Sequence, residues 1–467
     1  MKRLVFCFDG TWNRLEAPFP TNVVITAESV DPLDGDHAQL IYYDEGVGTS
    51  FLQSLAGGVF GVGMVANLAQ AYRFLIFNFS PGDEIYVFGF SRGAYTARSF
   101  VGLLRNCGIL RRAEAARASE AIELYKSRRD STHSDSDAMR QWRLDFTSQV
   151  VVSDDELAWR RARQPETDVE EVPLLKITYL GVWDTVGSLG IPFRYRWWFD
   201  PANRRHAFHD TRVTDFVNSA RHAVALDERR RDFQPTLWES ADALNKTVGV
   251  DPDDELAPYQ QKWFPGTHGS VGGGGPERGL SDQALDWVLS GARRRGLKLD
   301  STSTSRIYSL NPSHLVPVDN VPPGFSFMGW IMGLFPSDRR GPRALYEVSL
   351  SARRRYLESA EALPERCAYR PGALKAVAAD LDALDPAEVG LGQPYSGLYS
   401  LYEVRARDAL GKLAKRFYGD AQQWPSLYRA NPQIEDANRI YPGWILKIPN
   451  DPWVEPASKP AAKDKQP

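Results

Sequence analysis

The chain has 467 residues, 43% hydrophobic and 25% charged, ordinary values for a soluble globular protein able to bury a large core. Its 56 basic and 59 acidic residues leave a formal net charge of −3, without the basic excess expected of a nucleic-acid binder. Three scattered cysteines (Cys7, Cys107 and Cys367) exclude a disulfide framework or a tetrahedral zinc site, and no run reaches the ~20 apolar residues of a membrane span.

Residues 3–8 form a short apolar run of strand formers that ends at the turn signal Asp9-Gly10. The run is too short for a signal-peptide core, so synthesis in the cytoplasm is expected, with any export by a route without a cleaved leader. Residues 39–43 read as a second strand and 64–79 as a helix closed by Ser80-Pro81-Gly82-Asp83. Glu84 to Phe88 has the nearly continuous apolar pattern of a buried strand. It leads into Gly89-Phe90-Ser91-Arg92-Gly93, and Ala94 to Leu104 has helical spacing.

Residues 111–165 are charge-rich and read as surface helices with loops. A strand over 174–180 ends in Gly181-Val182-Trp183-Asp184, and Ser219 to Arg229, containing His222, has a helical pattern. A strand over 259–264 precedes Pro265-Gly266-Thr267-His268 and the glycines 272–275; Ser281 is placed to cap a helix over 282–294. Strands alternating with helices in this way predict a mostly parallel sheet covered on both faces, an α/β architecture.

Residues 301–340 read as a Ser/Pro/Gly-rich excursion enclosing the apolar patch Phe325–Phe335, either a lid or core packing of the excursion. The alanine-rich stretch 374–386 reads as the last helix of a large domain over 1–386. A linker over 387–398, a compact module over 399–450 and a disordered tail over 451–467 follow. The arginine runs 229–231, 293–295 and 353–355 read as solvated helix faces, and Trp197-Trp198 as buried packing or an acyl pocket.

Gly89-Phe90-Ser91-Arg92-Gly93 lies between a strand and a helix, the context of a nucleophile elbow. The sharp turn leaves no room for a Cβ two residues to either side. It lifts the serine hydroxyl above the carboxyl end of the sheet, at a helix N-terminus that favours a developing oxyanion. A serine hydroxyl needs a base, and the base an orienting acid, in the chain order serine, acid, histidine. Of the downstream histidines, His268 follows a strand and precedes a glycine-rich, flexible loop that lets the imidazole reach Ser91; His222 is the alternative base or a pocket residue. Asp184, at a strand end, is the first choice for the acid, with Asp227 and Asp282 as alternatives. Oxyanion donors are sought in the backbone N–H groups of Gly10, Thr11 and Arg92, and Asp9 either caps the first loop or faces the pocket. Nothing in this chemistry calls for a metal or cofactor.

Phe8-Asp9-Gly10-Thr11 is also similar to the Asp-x-Asp-Gly-Thr signature of haloacid-dehalogenase-like phosphatases, but the attacking aspartate of that signature is Cys7 here, so that chemistry is excluded.

Phe8-Asp-Gly-Thr-Trp-Asn13, Tyr43-Asp-Glu-Gly-Val-Gly48, the block Gly82 to Arg98, His222 to Arg229, Trp263 to Gly274, Gly279-Leu-Ser-Asp282 and Tyr369-Arg-Pro-Gly372 occur in one order. Together they resemble the α/β-hydrolase domain of the type VI secretion lipase effectors, over residues 1 to about 375. The resemblance implies a serine esterase acting on phospholipid acyl esters, with Ser91, Asp184 and His268 as its triad. It also implies an antibacterial role in the target-cell envelope and an immunity or secretion-loading protein as partner. Relatives commonly carry an aspartate where this chain has Ser270.

The segment Tyr402 to Pro449 is similar to a LysM domain, in which strand, helix, helix and strand follow one another. The usual Gly-Asp-Thr turn reads Arg407-Asp408-Ala409 here. That resemblance implies contact with peptidoglycan or another N-acetylglucosamine-containing glycan.

Overall fold

The computed structural model describes residues 1–10, 15–46, 59–127, 129–163, 172–187, 213–300, 305–319, 337–392, 399–405, 407–418, 420–431, 434 and 436–449. Thr11, the tryptophans 197–198, the patch 325–335, part of the linker and the tail lie outside the described residues.

Seven strands form one sheet: β1 (Arg3–Phe8), β2 (Leu33–Asp34), β3 (His37–Asp44), β4 (Glu84–Phe90), β5 (Tyr179–Trp183), β6 (Ala220–Ala225) and β7 (Tyr259–Phe264). Their order is β2-β3-β1-β4-β5-β6-β7, and every pairing is parallel except that of β2 with β3. After β1 the chain adds β3 on one side and then crosses to add β4 on the other. That reversal makes the carboxyl ends of β1 and β4 a topological switch point, where ligands bind in open α/β sheets.

Period-two alternation sends successive side chains to opposite faces, and both faces are covered. Leu4, Phe6 and Phe8 of β1, with Ile85 and Val87 of β4, pack on the helices Val59–Asn78 and Arg92–Cys107. Val5, Cys7, Tyr86 and Phe88 pack on the helices Asn22–Ser29 and Gly279–Arg294. Residues beyond β7 add a third core, in which Trp263 meets Val348, Ala352 and Tyr356. Each fully buried side chain of this size contributes about 1.5–3 kcal/mol of transfer free energy, so the large apolar strands anchor the sheet.

Several readings are corrected. The stretch around His222 is the buried strand β6, not a helix: its alanines favour a helix locally, but packing between β5 and β7 decides. The strand expected over 174–180 is Tyr179–Trp183, with Leu174 and Ile177 held by isolated bridges. Ser281 lies inside the helix Gly279–Arg294 rather than capping it. The alanine-rich stretch splits into a 3₁₀ turn, Gly372–Val377, and the short helix Ala378–Asp382. The charged segment 111–165 does form helices, yet it buries an ion triad in which Glu156 bonds Arg143 (2.8 Å) and Arg160 (2.6 Å).

In the C-terminal module, β8 (Tyr399–Glu403) pairs antiparallel with β9 (Ile445–Pro449). The helices Leu410–Tyr418 and Trp424–Arg429 complete a small core of Val404, Leu410, Leu413, Leu427, Leu446 and Ile448. Arg407 has φ 74°, and Asp408 accepts from the Arg405 N–H and the Tyr402 hydroxyl.

Candidate active site

At the end of β4, Ser91 has φ 58° and ψ −122°, a region that costs a residue with a Cβ of order 1–3 kcal/mol. The surroundings impose it. A Cβ on Gly89 would lie 2.7 Å from the Ala94 Cα, and one on Gly93 would lie 2.2 Å from the carbonyl oxygen of Phe8. β1, β4 and the helix Arg92–Cys107 therefore meet backbone to backbone. The Ser91 N–H donates to the Trp183 carbonyl of β5 (3.1 Å), which fastens the elbow to the next strand end.

Asp184 follows β5 directly and also has positive φ, 36°, with its N–H donated to Ala223 of β6 (2.7 Å). His268 follows β7 and begins a short helical turn, His268–Gly272, rather than the flexible loop expected. Its backbone N–H donates to Glu228 (3.3 Å), and Gly266 N–H donates to Asp227 (2.6 Å). The imidazole is packed by the rings of Phe90 and Phe233, with centroids 4.6 and 4.9 Å away.

These three strand ends bring the side chains into line. His268 Nδ1 lies 2.6 Å from Asp184 Oδ2, and His268 Nε2 lies 2.7 Å from Ser91 Oγ. Asp184 is fully buried, and Ser91 and His268 are each 7% exposed. Burial alone would push the Asp184 carboxyl up. The Arg339 guanidinium and the hydrogen bond from His268 outweigh it and hold the carboxyl well below the usual range. An ionised Asp184 accepts the proton on Nδ1, which leaves the Nε2 lone pair facing the serine hydroxyl.

The other residues singled out from the sequence divide. Arg92 is the first residue of the elbow helix, next to Ser91. Gly10 is a correction: its N–H donates to Asp9 Oδ1 (2.6 Å) and so is not presented to an oxyanion. Asp9 is 1% exposed; its Oδ2 accepts from Thr21 (2.6 Å) and Tyr43 (3.1 Å), so it ties the first loop together instead of lining a pocket. His222 is also a correction as a base. It is fully buried in β6, where Nε2 accepts from Thr185 N–H (3.2 Å) and Nδ1 donates to Gln261 (3.0 Å). Burial and the charge of Arg98 push its pKa down to about 3, so it stays neutral. Asp227 bonds Tyr369 (2.6 Å), and Asp282 pairs with Arg278; neither bonds His268. Ser270 donates to the Val318 carbonyl (2.6 Å).

Arg339, not singled out from the sequence, pairs with Asp184 from 155 positions away. Its only sequence signal is an arginine doublet at the exit of the 301–340 stretch, and nothing in that spacing points to an acid at a distant strand end. Among the described residues, no cluster of three His, Cys, Asp or Glu side chains could hold a metal, and no helix is long and apolar enough to cross a membrane.

A serine raised on a strand-to-helix elbow above a mostly parallel, doubly covered sheet is the arrangement of the α/β-hydrolases, and the fold places this chain among them. The family model for the catalytic domain of the Tle1-like phospholipase effectors of the type VI secretion system matches residues 2–291, more than half of the chain. The chain belongs to that family. A LysM domain model matches residues 402–449.

Among curated proteins, the uncharacterized protein YEL023C of Saccharomyces cerevisiae is 28% identical over 248 residues, covering 50% of this chain and 32% of that protein. The potassium binding protein Kbp of Escherichia coli O6:H1 is 35% identical over 51 residues, covering 11% of this chain and 34% of that protein. The chain thus spans about a third of the length of each. Among solved structures, an uncharacterized protein from Pseudomonas aeruginosa aligns with TM-score 0.35 and 16% identity over 64% of this chain and 46% of that one. The Tle1 effector bound to the VgrG spike of the type 6 secretion system aligns with TM-score 0.30 and 18% identity over 58% and 51%.

Proposed function

We propose that this chain is a serine hydrolase that cleaves phospholipid acyl esters by Ser-His-Asp catalysis, as an antibacterial effector delivered by type VI secretion. The observation that carries the reading is the hydrogen-bonded run from Asp184 through His268 to Ser91, at 2.6 and 2.7 Å, with each member at the carboxyl end of a different strand.

The chemistry follows from that order. His268 Nε2 takes the Ser91 proton as Oγ attacks the acyl carbonyl carbon, and Asp184 stabilises the imidazolium that forms. The oxyanion develops at the N-terminus of the helix Arg92–Cys107, where the Arg92 N–H and the helix dipole favour it; one such donor is worth about 10²–10³ in rate. His268 then returns the proton to the leaving alkoxide. A water activated by the same imidazole releases the fatty acid from the acyl-enzyme. None of these steps needs a metal or cofactor.

The division into a catalytic domain over 1–386, a linker over 387–398, a LysM-like module over 399–450 and a tail over 451–467 belongs to the same reading. The module would hold the enzyme to peptidoglycan near its lipid substrate, with an immunity or secretion-loading protein as partner.

The test is fatty-acid release from defined phospholipid vesicles by the full chain and by Ser91→Ala. Release that is lost in the variant supports the reading. Hydrolysis of soluble esters with none of phospholipid would point to a non-lipid esterase. No fluorophosphonate labelling of Ser91, with glycan binding retained, would point to an envelope-binding protein.

A further inference from the structure

Arg339 is 3% exposed and reaches three elements at once. Nη1 donates to Asp184 Oδ1 (2.5 Å) and to the Ala225 carbonyl at the end of β6 (2.8 Å). Nη2 donates to Asp184 Oδ2 (3.0 Å) and to the carbonyl of Phe233, whose ring packs on His268. Asp184 Oδ1 also accepts from Ala225 N–H (2.9 Å), and Oδ2 accepts from His268. The roughly four lone-pair positions of the carboxylate are therefore all filled, so Asp184 has one rotamer and remains an acceptor.

The charges around the imidazole come from several elements. Asp184 follows β5, and Glu228, in the loop after β6, is matched by Arg230 (2.6 Å). His222, within β6, is neutral, and Arg98 of the elbow helix donates to the Thr236 carbonyl. Arg92 adjoins the serine. Arg339 is the cation bonded to the acid itself. Its charge offsets that of the buried carboxylate. Together with the hydrogen bond from His268, it holds the buried carboxyl ionised against the cost of burial.

We propose that Arg339 is a positioning residue that fixes the rotamer of Asp184 and, by its charge, keeps that carboxylate ionised as the pH falls. This rests on the Ser91–His268–Asp184 reading above, and the test separates the two.

The measurement is the rate of Ser91 labelling by a fluorophosphonate probe against pH, on the full chain, for wild type, Arg339→Gln and Arg339→Lys, with chemical-denaturation midpoints as a folding control. Arg339→Gln is expected to move the acidic midpoint up by roughly one pH unit. Arg339→Lys, which keeps the charge but loses the planar fork, is expected to leave the midpoint in place and slow labelling about tenfold. A uniform loss of rate with an unmoved midpoint in the Gln variant overturns the proposal, as do wild-type rate and midpoint in both variants. If the Gln variant fails to fold, the Lys variant decides alone: an unaltered rate overturns the proposal, and a slowed rate with a fixed midpoint supports it. A wild type that does not label at Ser91 overturns the triad reading first, and the role of Arg339 with it.

Discussion

A Cβ on Gly93 would lie 2.2 Å from the carbonyl oxygen of Phe8, so the elbow helix and β1 touch through their backbones. Both partners at that contact are main chain, and neither can rotate out of the way. Gly93→Ala is therefore expected to destabilise the chain by about 2–3 kcal/mol and to misplace Ser91. Urea-unfolding midpoints and Ser91 labelling should fall together; an alanine variant with wild-type stability would show that the contact relaxes freely.

Asp184→Asn keeps the shape of the side chain and a residue that tolerates positive φ, but it strands the buried Arg339 without a counter-charge. Loss of about 10⁴ in turnover is expected, because the amide no longer enforces the Nδ1–H tautomer. A stability loss of about 3–5 kcal/mol accompanies it, because breaking a buried pair leaves one charge uncompensated. The double variant Asp184→Asn, Arg339→Gln should recover much of that stability and none of the activity. Calorimetry and steady-state rates on the same preparations check both parts.

His222 is held neutral in the folded chain, with its pKa pushed down to about 3, whereas an unfolded histidine titrates near 6.5. Between those values the unfolded chain binds the extra proton, so the contribution of His222 to stability is fully present above about pH 6.5. It is lost as pH falls toward 3, at up to about 1.4 kcal/mol per pH unit. His222→Gln, which can still accept from Thr185 and donate to Gln261, should flatten the fall in stability between pH 6 and 5 by about one proton. Guanidinium titrations at the two pH values measure it, and an unchanged slope would assign the pH dependence elsewhere.

Arg407 stands with φ 74°, in the left-handed region that favours glycine. Releasing that strain should stabilise the module, since a glycine occupies the region freely. Arg407→Gly is expected to raise protection against hydrogen exchange across 402–449 by about 1 kcal/mol, measured in the full chain, with no change in the protection of β1, β4 and β5.

Much of the site was legible because its signals are local. An apolar run, then Gly-x-Ser-x-Gly, then helical spacing fixes a strand, a turn too tight for side chains and a helix, and these dictate where Ser91 points. Asp184 and His268 could be chosen because each follows an apolar strand. β6 was hidden because Ala-Arg-His-Ala-Val-Ala favours a helix as an isolated peptide; its identity as a strand comes from neighbours more than thirty residues away in either direction. The fate of the Gly10 N–H is not local in the same way: a carboxylate one residue earlier captures it, a contact that depends on how Thr21 and Tyr43 turn Asp9.

The amino-acid order by itself thus determined the layered α/β sheet, the raised serine and the two-part organisation, since these arise from periodicity and turn chemistry within short windows. Only the tertiary structure decided that β6 is a strand, that His222 is sealed, and that Arg339 closes on Asp184 across 155 positions. An ion pair between distant segments has no signature in either segment alone; it exists because the folded sheet brings a buried carboxylate and a guanidinium together where water cannot solvate either.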